Sequence, residues 1–167
     1  MKVYSMLLLA LSASALFAQD ASVVRWQTIE GVITAPGVDN PVAGISSGAG
    51  PWVTRAGTAH VNLRTGSVSF AVQGLVLAGG NSVGTPGAVA KVIGTLVCNA
   101  GSTGSPAQQV LDTTAVTLSP EGNAQFSGTF ASLPTCTKPL FLIRAGVRWI
   151  AFGAVPTFSS GSGYDDN

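Results

Sequence analysis

From Val61 to Leu75, apolar and polar side chains alternate on either side of a glycine. This period of two constrains the fold more than any other feature of the chain. Val61 and Leu63 point one way, and after Arg64-Thr65-Gly66 the side chains of Val68, Phe70 and Val72 point the same way. Asn62, Ser67, Ser69 and Gln73 take the other side, so the spacing predicts a β-hairpin with one dry and one wet face. A second stretch repeats the layout. Val116-Thr117-Leu118 leads through Ser119-Pro120-Glu121-Gly122 into Asn123 to Phe130, with Val116, Leu118, Ala124, Phe126 and Phe130 sharing a face. Each stretch carries a Phe four residues past its glycine, a likeness we read as common hairpin grammar rather than duplication.

The other strand candidates fit the same scheme. Val23 to Thr34 reads as a long first strand, bent at Gly31. Ala88 to Cys98 is apolar on both faces, as a central strand should be. Leu140 to Arg144 and Val147 to Ala154 read as a closing pair around Ala145-Gly146. No window between the N-terminal run and the tail holds a helical period. One-faced sheets must bury that face against another layer. The expected fold is therefore all-β, with seven to eight antiparallel strands in a two-sheet β-sandwich or a small closed barrel.

Both ends of the chain read differently. Met1-Lys2 gives a positive start, Leu7 to Leu11 is an apolar run too short to span a bilayer, and small residues follow to Ala18. That is the pattern of a signal peptide over residues 1–18, with a cut after Ala15 as the alternative. The β-domain is then expected over 19–158, and the Gly/Ser-rich stretch 159–167 reads as a disordered tail. An exported chain meets oxidising conditions, where the two cysteines, Cys98 and Cys136, are most simply a disulfide. Closing such a loop stabilises a fold by roughly 4 kcal/mol in the chain-entropy picture.

Charge narrows the partners. The chain has 8 basic and 7 acidic side chains; Lys2 leaves with the signal, so the mature chain is neutral at 7 against 7. Charged residues make up 9% of the sequence, against about 25% in ordinary globular proteins. A neutral surface of Ser, Thr, Gly, Asn and Gln offers nothing to nucleic acid or anionic lipid.

Catalytic patterns are weak. Gly44-Ile45-Ser46-Ser47-Gly48 matches the nucleophile elbow G-x-S-x-G, but no helix follows, and the sole histidine, His60, precedes the nearest later acid, Asp112. His60 belongs on the wet face of the first hairpin. The acids are sparse, and a pair for glycoside hydrolysis could meet only in space, for example Glu30 with Asp112, to which nothing in the sequence points. Asp165-Asp166 falls far short of the oxygens that calcium needs. Three stretches, Ala35 to Gly57, Ala78 to Gly87 and Asn99 to Gln108, read as loops. The first holds Trp52 and Arg55, the candidate contacts for a ligand or partner; the alternative for Trp52 is a plug at one end of the sandwich.

The strand–glycine turn–strand segment Gly57 to Leu75 is similar to a hairpin of the CHRD domains of secreted proteins. Those domains carry a histidine pair in the strand after the hairpin, and Gly87 to Cys98 holds none, so no residue roles carry over. The sequence points to an exported, non-catalytic module that binds or builds at the cell surface, secreted or periplasmic. Its expected partner is a polysaccharide or a surface protein; no cofactor, metal or catalytic residue is expected, and no membrane contact after signal cleavage. A small outer-membrane β-barrel and a small carboxylate-dependent hydrolase are the alternatives.

Overall fold

The computed structural model describes residues 22–159; the expected signal peptide and nearly all of the expected tail lie outside them. All regular structure among the described residues is strand: β1 (Val23–Gly31), β2 (Trp52–Val53), β3 (Ala56–Asn62), β4 (Ser67–Gln73), β5 (Val76–Leu77), β6 (Lys91–Cys98), β7 (Gln109–Asp112), β8 (Val116–Thr117), β9 (Ala124–Thr129), β10 (Leu140–Ala145) and β11 (Arg148–Ser159). The last strand thus runs one residue into the stretch expected as tail.

One antiparallel sheet carries most of the chain, in the order β7-β6-β10-β11-β1-β3-β4-β9, and β8 lies beside β6 in line with β7. The β2–β5 pair forms a small second sheet. The fold is all-β, as the alternation predicts. The large sheet curls into a half-barrel, which supplies the packed layer that the sandwich or barrel expectation calls for.

The interior explains the curl. Trp26 of β1 lies against Phe141 of β10 with ring centroids 5.4 Å apart, and Phe141 meets Phe70 of β4 at 5.8 Å. Gly94 of β6 and Gly153 of β11 make room: a Cβ at either would stand 2.6 Å from the Phe70 ring or 2.5 Å from the Trp26 side chain. Burying these aromatics and the surrounding Val, Leu and Ile side chains is the main stabilising term.

The first expected hairpin forms as β3–β4, with Val61 opposite Val68 and Ala59 opposite Phe70. The second does not form a ladder. Its turn is made, with Ser119 N–H donating to Asn123 O at 2.9 Å, but beyond it β8 pairs with β6 and β9 pairs with β4. Phe126 still reaches Phe70, stacked directly across the β4–β9 ladder at 5.8 Å. Alternation shows which face a side chain takes; it does not name the neighbouring strand.

Cys98, fully buried at the end of β6, is bonded to Cys136, with Cα atoms 4.8 Å apart. Asn99, next in the chain, takes a positive φ of 55°. It donates to Thr135 O and accepts from Thr137 N–H, so the loop leading to β10 is held at two adjoining points.

Candidate functional site

The stretch Ala35 to Gly57 reads from sequence as a loop, with Trp52 either a ligand contact or a plug at one end. Ahead of Trp52 it forms an ordered strap. Ser47 is fully buried; its N–H donates to Asp39 Oδ1 at 2.7 Å, and its Oγ accepts from Asn40 N–H at 2.9 Å. The strap then bonds to β11: Trp149 N–H donates to Ser46 O, Gly48 N–H donates to Trp149 O, and Arg148 Nη1 donates to Ser47 O. Hydrogen bonds from Ser46 and then Ser47 hold the Asp39 carboxyl below its ordinary pKa. The elbow-like Ser46-Ser47 pair is thus engaged in holding a loop.

Trp52 is 4% exposed, so the exposed-aromatic reading is corrected: it plugs one end of the core. Its N–H donates to Val32 O at 2.8 Å. Gly31, the expected bend, is where the Trp52 backbone crosses, and a Cβ there would lie 2.1 Å from Trp52 O. Only Gly permits that approach. Arg55 remains exposed, and its Nη2 reaches Gln73 Oε1 at 3.5 Å. It lines an open groove of about 550 Å³ with Gln73, Thr117, Asn123 and Gln125.

The other sequence candidates are scattered. His60 lies in β3, where Arg25 Nη1 approaches its Nδ1 at 3.3 Å; partial burial and then the Arg25 charge lower its pKa. Glu30 stands on β1, and Asp112 stands on β7, with β11, β10 and β6 between them. The structure does not bring that pair together. Asp112 is occupied: Arg144 Nη1 reaches its two oxygens at 2.9 and 3.0 Å, and Thr95 Oγ1 donates to it at 2.7 Å. Among the described residues, no three His, Cys, Asp or Glu side chains gather where a metal could be held.

One feature went unread in the sequence. The sheet has two free edges, β7 and β9, and a cleft of about 540 Å³ lies between Gln109 to Asp112 of β7 and the segment Phe130 to Pro134 that follows β9. The segment 109–112 was not read as a strand, and the expected second hairpin begins only at Val116, in β8. A bulge separates β7 from β8. β7 pairs with β6 so that partner numbers add to 207, as in Thr95 with Asp112, whereas β8 pairs so that they add to 208, as in Val92 with Val116. One extra residue between Thr113 and Val116 therefore shifts β7 out of phase with the turn that follows. The available signal was a change of parity, from odd at Leu111 to even at Val116 among the partly buried apolar residues.

Fold and surface define a class: a disulfide-tied, all-β half-barrel with a polar, sparsely charged outer face and an open cleft beside β7. No family model matches the chain, and no curated protein and no solved structure is detectably similar to it.

Proposed function

We propose that this chain is an exported, non-catalytic module that binds or builds at the cell surface or in the extracellular space. The observation that carries the reading is that four of its chemistry-bearing side chains are engaged within the fold. Asp39 holds the strap, Asp112 holds Arg144, Glu121 accepts from Ser119 Oγ in its turn, and His60 faces Arg25. A catalytic group must be free to meet substrate, and it works beside a partner that tunes it. The disulfide suits an oxidising compartment, and it supports the export half of the reading.

The polar outer face argues against a lipid-facing barrel. Arg25, His60, Ser69 and Ser127 lie in one row across β1, β3, β4 and β9, where a membrane barrel carries an apolar band. For carboxylate hydrolysis, the example pair Glu30 and Asp112 lies on strands separated by three others.

Fractionation with an activity panel tests the proposal. The protein should accumulate in the medium or envelope, and purified protein should turn over neither glycoside nor ester substrates. Recovery from the cytosol would overturn export. A hydrolytic activity that falls with Glu30→Gln or Asp112→Asn would overturn the non-catalytic half.

A further inference from the structure

We infer that the seam between the free edge of β7 and the segment Phe130 to Pro134 is a strand-acceptor slot, and that it takes an extended, uncharged segment of a partner protein. The inference rests on the binding-module reading and names its partner.

Backbone geometry comes first. Thr113 N–H donates to Gly94 O at 2.8 Å, so residue 113 bonds toward β6. In an antiparallel ladder alternate residues point their backbone groups to opposite sides. Leu111 and Gln109 therefore bond toward β6, and the N–H and C=O groups of Val110 and Asp112 face the seam. On the other wall, Phe130 N–H donates to Gly66 O at 3.0 Å and is engaged with the β3–β4 turn, so the free ladder of the seam is the one on β7. Among the described residues, no strand pairs with β7 on that side.

Size and charge agree. Four residues of strand, at 3.3 Å per residue, 4.8 Å between strands and 10 Å between layers, occupy roughly 600 Å³. The cleft offers about 540 Å³. Asp112 is neutralised by Arg144, so the walls favour a neutral occupant. Natural edges are blunted by lysine or proline; β7 contains neither and Val110 is 47% exposed, while Pro134 stands on the opposite wall. Leu111 and Leu133 pack partly on the core at this place, so apolar residues at alternate positions of the occupant would join them. A polysaccharide has no ladder to match these groups, whereas an added strand does.

The probe is a displayed library of linear ten-residue peptides, selected against the full mature protein. Enriched peptides should alternate apolar with small polar residues, and hydrogen exchange at Val110 and Asp112 should slow when they bind. Val110→Pro removes one seam-facing N–H while sparing the β6 ladder, and it should weaken binding at least tenfold. Val110→Lys, which keeps the backbone donor and adds a charge, covers the case in which the proline variant misfolds, and it should weaken binding in the same way. Val83→Ser, in the 78–87 loop, should bind as wild type does. No enriched peptide, or wild-type binding by both Val110 variants, would overturn the slot. So would self-association that Val110→Lys abolishes, because a second copy would then fill the seam. If the protein is exported but captures no peptide, the slot fails and the export reading stands. A cytosolic protein that binds peptides at the seam would reverse that outcome.

Discussion

Phe70 of β4 fills the space that a side chain on Gly94 of β6 would need: its Cε1 lies 2.6 Å from the position of that missing Cβ. Four strands, β10, β11, β1 and β3, separate the two along the sheet. They meet only because the sheet curls, so the pair measures closure directly. Phe141 closes the same space from β10, 2.9 Å from that position, and leaves the Phe70 ring little freedom to retreat. Gly94→Ala should cost about 1–3 kcal/mol, the range for overpacking a filled core. Urea unfolding reads this. A loss below about 0.5 kcal/mol, the level of a neutral surface change, would mean that the halves do not touch there.

The Asp112–Arg144 pair should show an order of effects. The Arg144 side chain is 14% exposed and its Nε is buried without a partner, whereas Asp112 is 44% exposed. Asp112→Ala strands a buried cation and the buried Thr95 hydroxyl, which should cost about 1–3 kcal/mol. Arg144→Met removes the buried charge and leaves a carboxylate that water can reach, so it should cost less. Denaturation of the two variants side by side checks this, and the reverse order would show that the pair is held by attraction rather than by avoided desolvation.

Trp52→Ala should act on stability. Deleting a buried Trp typically costs about 3–5 kcal/mol, and Trp52 is 4% exposed. Arg55→Ala, on the surface, should stay within about 0.5 kcal/mol. Thermal melts of both variants decide. A Trp52→Ala protein as stable as wild type would restore the exposed aromatic.

Acid should weaken the fold in two windows. His60 has its pKa lowered by partial burial and then by Arg25, so the unfolded chain binds its proton more readily. Its contribution is fully present above the unfolded value of about 6.5 and is lost as pH falls through the folded value. Asp39 and Glu121 are also lowered, mainly by Ser46 and Ser119 respectively, and their contributions are lost in the same sense below pH 4. Melting temperature should fall from pH 7 to 5, and His60→Gln should flatten that limb while sparing the lower one. An unchanged slope in His60→Gln would remove the histidine from this account.

Much of the fold was legible. The alternation around Gly66 placed Val61, Val68, Phe70 and Val72 on one buried face, where they lie. Gly31 was read as a bend, and its cause, the crossing backbone of Trp52, is contact between residues 21 positions apart. Trp52 itself was legible only as contact or plug, because its surroundings, a Gly/Pro-rich stretch without period, describe a loop whether that loop is free or strapped down. The strap depends on Asp39 meeting Ser47 and on Ser46 meeting Trp149, which no local pattern records.

The sequence by itself determined the strand class, the inward residues of the first hairpin and the pairing of the two cysteines, because side-chain period and the count of thiols are local properties. Tertiary structure alone decided which strands became neighbours. The stretch around Gly122 shows why: alternation suited a hairpin there, but β8 on one side of the turn pairs with β6 and β9 on the other pairs with β4. Hydrogen-bond phase belongs to two strands at once, so it cannot be read from either alone.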